Sequence, residues 1–112
     1  MSDIHTLRIY KDSLLLIKEI YELIRESKNL NNDFSLCDQI KRASVSVASN
    51  ISEGYYRSQK VAKNYLSIAS GSTNEVATQL EIIELVYKID TKILQEKYRV
   101  LGRQINSLSS HF

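Results

Sequence analysis

The residues best suited to chemistry are polar side chains in the middle of the chain, namely Asn50, Glu53, Arg57 and Glu75. Glu53 and Arg57 are four residues apart, in the order that favours an ion pair along one helix, so a structural role accounts for their spacing. The sequence contains no Gly-x-Ser-x-Gly, no Ser-x-x-Lys and no phosphate-binding glycine-rich loop. We therefore predict a protein that is not an enzyme and has no catalytic residue.

Metal and redox chemistry have equally little support in the sequence. His5 and His111 lie at opposite ends of the chain, and no cysteine or acidic residue stands near either at a metal-ligand spacing. No Glu-x-x-His pair marks a di-iron site. Cys37 is the only cysteine, which excludes an internal disulfide and is typical of a reducing compartment. We expect no metal and no cofactor.

The charges are unevenly distributed, although the net charge is only +2. Residues 41–63 contain five basic side chains and one acidic one, and residues 91–112 contain four and one. Three of the latter share one angular sector of a predicted helix and could follow a nucleic-acid backbone. A solvated outer face explains the same pattern, so both interpretations stay open. The candidate nucleic-acid-binding residues are Lys60, Lys63, Lys92, Arg99 and Arg103.

Four amphipathic helices with short connections must position these side chains. The chain has no proline and only three glycines, which favours long helices. We predict one domain over residues 1–112, of the all-α class, folded as an antiparallel up-down-up-down four-helix bundle. The predicted order is a helix over Thr6–Ser27, a loop over Lys28–Phe34, a helix capped by Ser35 that ends or bends at Gly54, a helix from Ser58 to about Lys88, and a last helix capped by Asp90 or Thr91.

The first helix has two apolar stripes, where a simple bundle needs one. We expect the first stripe to face the core and the second to contact another subunit; a single wide core face is the alternative. The first stripe is Leu7, Tyr10, Leu14, Ile17, Tyr21 and Ile24, and the second is Ile9, Leu16, Ile20 and Leu23.

The second and third helices also suggest assembly, because they lack a charged outer side. The second has small residues at Val45, Ala48 and Ser52 opposite its core face, where a neighbouring helix would fit. In the third, Gly71 costs about 1 kcal/mol against alanine, which a close helix contact would offset. The third helix packs through Ala62, Leu66, Ala69, Thr73, Val76 and Leu80. The candidate oligomer-interface residues are Ile9, Leu16, Ile20, Leu23 and Gly71.

Two segments, RASVSVASNISEGYYRS at 42–58 and YLSIASGSTNEVATQL at 65–80, resemble a known family. It comprises the four-helix-bundle proteins encoded in intervening sequences of bacterial 23S ribosomal RNA genes, also labelled S23 ribosomal-like. The match covers about a third of the chain strongly, and Ser52 stands where the family usually has alanine. The matching polar positions, expected to form a network, are Arg42, Asn50, Glu53, Arg57, Ser72, Glu75 and Gln79.

The resemblance implies a ring, usually a pentamer, without established catalysis. It also implies kinship with the accessory proteins of diversity-generating retroelements, which bind a reverse transcriptase and nucleic acid. We therefore expect a cytoplasmic homo-oligomer that binds nucleic acid, with RNA favoured, through repeated basic surfaces. The alternative is a protein-only scaffold that docks a protein partner such as a reverse transcriptase. No membrane partner is expected, because no apolar run approaches the 20 or so residues needed to span a bilayer.

Overall fold

The computed structural model describes residues 3–4 and 7–112, and over these residues it contains five α-helices and no strand. The predicted all-α class is confirmed, but a helix of a single turn, α2, was not predicted. The first helix was expected to begin at Thr6. Both Thr6 and His5 lie outside the described residues. The helices are α1 Arg8–Glu26, α2 Lys28–Asn31, α3 Phe34–Tyr55, α4 Gln59–Tyr87 and α5 Lys92–Ser109.

The four long helices surround one hydrophobic core. α1 contacts α3 and α5, and α4 also contacts α3 and α5, in a body that measures 45 × 21 × 21 Å. All six positions predicted to form the packing face of α4, from Ala62 to Leu80, are buried. None of the described helices is long and apolar enough to cross a bilayer. α4 is therefore a bundle helix with one buried face and one outward face.

α1 buries the apolar stripe that we expected to contact another subunit. Ile9, Leu16 and Ile20 are 0–8% exposed within the core cluster, and Leu23 packs against that cluster. The prediction that these four residues form an oligomer interface is therefore wrong. Leu14, from the stripe expected to face the core, is 43% exposed. Both stripes have the same helical spacing, so the choice between them depends on the faces that α3 and α5 present to α1.

α3 begins two residues earlier than predicted, because Asp33 and not Ser35 is its N-cap. The Asp33 carboxylate accepts a hydrogen bond from the Leu36 amide at 3.1 Å and another from the Tyr87 hydroxyl at 2.6 Å. The cap therefore also ties the start of α3 to the end of α4. The predicted loop before it contains α2, which the fully buried Leu30 anchors in the core.

The close helix contacts occur at Gly54 and Gly102. A Cβ added at Gly102 would lie 2.5 Å from the Thr73 hydroxyl oxygen, and one added at Gly54 would lie 2.9 Å from the Tyr65 Cβ. Around Gly71, apart from its chain neighbours and the backbone of its own helix, no atom of the described residues lies within 4 Å of an added Cβ. The close approach predicted at Gly71 is therefore not made within the subunit.

Candidate interaction surfaces

All three basic residues predicted to follow phosphates on α5 form ion pairs within the chain. Two of the acidic partners come from the outer edge of α4, and the third lies on α5 itself. The pairs are Lys92–Glu84 at 2.8 Å, Arg99–Glu81 at 2.5 Å and Arg103–Glu96 at 3.2 Å. The Lys92 ammonium lowers the pKa of Glu84, whose carboxylate also accepts a hydrogen bond from the Thr91 amide. A nucleic acid would meet alternating charges here, and not a cationic stripe.

Lys60 and Lys63 are the exceptions among the basic candidates. Both are exposed, and neither pairs with a carboxylate in the described part of the chain. Lys63 borders a groove of about 440 Å³ between α4 and α5 that no acidic residue lines. Hydroxyl and amide groups supply the rest of this polar groove, and such groups can donate hydrogen bonds to an anion. Its lining is Lys63, Asn64, Ser67, Asn106, Ser109 and Ser110.

Ser46 joins two of the polar positions shared with the family. Its hydroxyl lies 3.0 Å from the Ser72 hydroxyl and 3.0 Å from the Asn50 amide nitrogen. The same Asn50 nitrogen donates to the Ser46 carbonyl at 2.8 Å. This cluster connects the outer sides of α3 and α4. Sequence reasoning missed Ser46, because it is one of several serines in a uniformly small stretch.

The other shared polar residues are scattered over separate places. Arg57 pairs with Glu53 at 2.8 Å, as its spacing predicted, and the bond raises the pKa of Arg57. Arg42 pairs with Asp38 at 2.9 Å. Gln79 is buried, and its side-chain oxygen has no hydrogen-bond partner among the described residues. The seven positions expected to form one network are therefore not joined into one within the subunit.

Cys37 fits the role of a small buried helix residue. Its thiol donates to the Leu30 carbonyl oxygen at 3.1 Å, and burial raises its pKa, which keeps it protonated. Over residues 3–4 and 7–112, no three histidine, cysteine or acidic side chains gather in a way that could hold a metal ion. His111 is exposed near the end of α5.

α4 presents a second line of heptad spacing on its outward side, which we call the α4 outer stripe. Its steps alternate three and four residues, and every member is exposed. Ile68 is 53% exposed and Leu85 is 72% exposed, whereas the only charge in the line is Glu75. The stripe has the spacing of a helix-packing seam without a helix over it. It consists of Val61, Asn64, Ile68, Gly71, Glu75, Thr78, Ile82 and Leu85.

A groove of about 470 Å³ runs between α1 and α3, and we call it the α1/α3 groove. Apart from Glu53, its walls consist of apolar, aromatic or small residues, and Leu14 and Val45 are each more than 40% exposed there. One turn beyond its end, the Lys41 ammonium lies 4.9 Å from the centre of the Tyr21 ring. Lys41 pairs with no carboxylate among the described residues. The groove is lined by Tyr10, Leu14, Ile17, Val45, Ala48, Ser49, Ser52, Glu53 and Tyr56.

The groove between α1 and α5 has a different character. Its volume is about 490 Å³, and the exposed Leu15 and Ile93 are among the residues that line it. A salt bridge between Lys97 and Glu19, at 3.1 Å, crosses from α5 to α1 in this groove. On α3, by contrast, no residue from Ala43 to Ser52 is charged.

Long helices packed around one hydrophobic core define a helical-bundle protein. The chain belongs to the family of 23S rRNA-intervening sequence proteins, whose family model matches residues 5–110. This confirms the family predicted from the sequence. No curated protein matches the chain.

A solved structure with a similar fold is a protein of unknown function from the S23 ribosomal protein family of Bacteroides thetaiotaomicron VPI-5482. Its TM-score is 0.81 at 23% sequence identity, and the match covers 90% of this chain and 97% of that one. The likeness shows that the two chains share their fold along almost their full length.

Proposed function

We propose that this protein is a non-enzymatic, homo-oligomeric scaffold that docks a protein partner. Its subunits are antiparallel four-helix bundles arranged in a ring, with five copies as the expected number. The observation that carries this proposal is the α4 outer stripe. The short connections 56–58 and 88–91 support the antiparallel order of the bundle.

The stripe supports assembly because of its length and its chemistry. Residues 61 to 85 of a helix extend over about 36 Å, at 1.5 Å per residue. A line of that length with four large apolar side chains and one charge is unusual on a monomer surface and is typical of an interaction site. The apolar members are Val61, Ile68, Ile82 and Leu85.

The ion pairs of α5 favour a protein partner over a nucleic acid. Carboxylates beside Lys92, Arg99 and Arg103 would repel phosphates that approach these cations. Exposed ion pairs contribute little to stability because water and salt screen them, so these pairs orient charges without greatly stabilising the fold. In a ring, this charged side would face solvent or a partner, while the uncharged faces contact neighbouring subunits.

Light scattering after size-exclusion chromatography at micromolar concentration tests the scaffold. We expect the parent to run at several times the 12.9 kDa subunit mass and Ile68→Lys to shift towards the monomer. Ile93→Lys is the matched control, because Ile93 is also an exposed isoleucine but lies on α5, in the groove that the Lys97–Glu19 salt bridge crosses, and it should leave the mass unchanged. A parent of 12.9 kDa would contradict the proposal. Equal effects of Ile68→Lys and Ile93→Lys on the mass in solution would also contradict it.

A second candidate function is nucleic-acid binding, which the polar groove beside Lys63 favours. Lys63 pairs with no carboxylate among the described residues, the hydroxyl and amide groups beside it can donate hydrogen bonds, and Lys60 lies one turn before it on α4. A ring would repeat this site around one rim, and the repeated charge would attract a phosphate backbone. The predicted nucleic-acid site would then lie at the start of α4 and not along α5.

Binding of an unstructured RNA at several salt concentrations tests this candidate. Binding is plotted as the logarithm of the association constant against the logarithm of the salt concentration. Each phosphate contact that is lost makes this negative slope less steep by about 0.7 on a single strand. Lys60→Gln with Lys63→Gln should therefore flatten the slope, while the same changes at Lys92, Arg99 and Arg103 should have little effect. If the parent binds no RNA at low salt, only the protein scaffold remains. If the α5 triple variant has the larger effect, the site lies on α5.

A further inference from the structure

We propose that the α4 outer stripe of one copy occupies the α1/α3 groove of the next copy, with Glu75 placed against Lys41 of that copy. This inference rests on the proposed homo-oligomer and identifies the two surfaces that form its contact. It replaces the α1 stripe that the sequence suggested, because that stripe lies in the core.

Charge complementarity connects the two surfaces. Glu75 is the only charged member of the stripe, and it is exposed without a cationic partner in the described part of the chain. Lys41 lies one turn beyond the end of the groove, pairs with no carboxylate among the described residues, and is held over Tyr21. Each surface thus has one charge that lacks an ion-pair partner among the described residues, and the two charges have opposite signs.

The position of each residue along the long axis of the bundle is its level, and the levels of Glu75 and Lys41 agree with a cyclic arrangement. Gly54 lies beside Tyr65, and Ser46 meets Ser72 at 3.0 Å, so α3 and α4 run antiparallel and residue numbers on the two helices change in opposite senses. Glu75 then lies level with Ala43 and within about 3 Å of the level of Lys41, at 1.5 Å per residue.

Rotation about an axis parallel to the helices keeps every residue at its level. Glu75 of one copy can therefore reach Lys41 of the next copy with no shift along the axis. Since Ser72 is level with Ser46, Ile68 is level with Asn50. Asn50 lies between Ala48 and Ser52, which both line the groove. When Glu75 of one copy is level with Lys41 of the next, Ile68 is therefore level with the wall of the groove.

Steric fit supports the same contact. Gly71 lies between Ile68 and Glu75 in the stripe, and space within 4 Å of its missing Cβ is empty in the subunit. The facing wall of the groove consists of Val45, Ala48 and Ser49 at the corresponding level. Small residues on both sides allow two helix backbones to approach closely.

The contact joins two different surfaces, so it is head-to-tail. Such a contact forms a ring when the rotation closes and cannot form a closed pair about a two-fold axis. A symmetric contact of α4 with α4 of a second copy would use the stripe alone and leave Lys41 uninvolved.

Charge reversal tests the pairing in the full chain. Glu75→Lys and Lys41→Glu should each weaken assembly by about tenfold or more, because each puts like charges together in every contact. The double variant should recover most of the parent's assembly. An equimolar mixture of the two single variants should assemble better than either variant alone, because every contact between unlike variants pairs opposite charges. It should assemble less well than the double variant, because in a ring of five at least one contact joins two copies of the same variant. Lys11→Glu and Glu26→Lys, both on exposed positions of α1, are the controls for net charge.

The outcomes separate this contact from the scaffold itself. A monomeric parent would contradict the proposed function, whereas an oligomeric parent whose single variants assemble normally would overturn only this contact. Loss with Glu75→Lys but not with Lys41→Glu would also overturn it, in favour of a contact that does not use Lys41. Far-UV circular dichroism checks folding, and if Lys41→Glu fails to fold, Lys41→Gln takes its place and should weaken assembly without being rescued by Glu75→Lys.

Discussion

Gly102→Ala is expected to destabilise the fold, although alanine is the better helix former. The new Cβ would lie 2.5 Å from the Thr73 hydroxyl oxygen and 3.5 Å from the Thr73 Cβ. Thr73 is 1% exposed, and its hydroxyl donates to the Ser70 carbonyl at 2.6 Å, so rotating it away breaks a buried bond. α4 and α5 must therefore separate slightly, or Thr73 must lose that bond.

The magnitude follows from two opposing contributions. Overpacking a well-packed core costs about 1–3 kcal/mol. Replacing glycine by alanine inside a helix stabilises it by about 1 kcal/mol. The net effect is a destabilisation of up to about 2 kcal/mol. Gly71→Ala is the matched control, because its Cβ meets open space and it should be stabilising by about 1 kcal/mol.

Urea unfolding followed by circular dichroism measures both variants, at protein concentrations low enough that the midpoint does not depend on concentration. The glycines have no positive φ, so the comparison concerns the added methyl group and not backbone strain. The free energies of unfolding of the two variants should differ by about 1–3 kcal/mol. A Gly102→Ala protein as stable as Gly71→Ala would refute the close approach of α5 to Thr73.

Three further outcomes are expected. The Tyr87 hydroxyl and the Leu36 amide hold the pKa of Asp33 below its ordinary value of 3.8, so their stabilising effect is present above that pH and is lost as the pH falls through the folded-state value. Asp33→Asn should therefore lose less stability than the parent between pH 5 and pH 2 in urea titrations. Tyr98 is 1% exposed and its hydroxyl has no partner among the described residues, so Tyr98→Phe should be neutral or stabilising by up to about 1 kcal/mol in thermal unfolding. Gly71→Leu should fold normally by circular dichroism but assemble poorly in light scattering, because its side chain would enter the proposed subunit contact.

The helices and their packing faces could be predicted from the sequence where one face is more uniformly apolar or small than the other. In α4 the line that contains Ala62, Leu66 and Val76 has no charge, whereas the outer line contains Asn64 and Glu75, so the buried face could be identified. α1 has two stripes of equal spacing, so its periodicity cannot identify the buried one. The distinction needs α3 and α5, whose positions depend on contacts far apart in sequence.

The candidate site was predictable to a smaller extent, because its chemistry depends on pairing between helices. The spacing of Lys92, Arg99 and Arg103 correctly placed them on the outer side of α5. Glu81 and Glu84, which neutralise two of them, come from α4, and periodicity within one helix cannot reveal such partners. The Glu53–Arg57 pair was predicted correctly because its members are four residues apart, and Arg57, which follows the end of α3 at Tyr55, is still within reach of Glu53.

The mass of the protein in solution tests the central claim, homo-oligomeric assembly, most directly. Native mass spectrometry of the parent at micromolar concentration should give one dominant assembly at a whole multiple of 12.9 kDa, expected to be five. On dilution, the assembly should dissociate into monomers that stay folded. A single species at 12.9 kDa over the whole concentration range would contradict the account, because the α4 outer stripe would then be exposed in the functional protein.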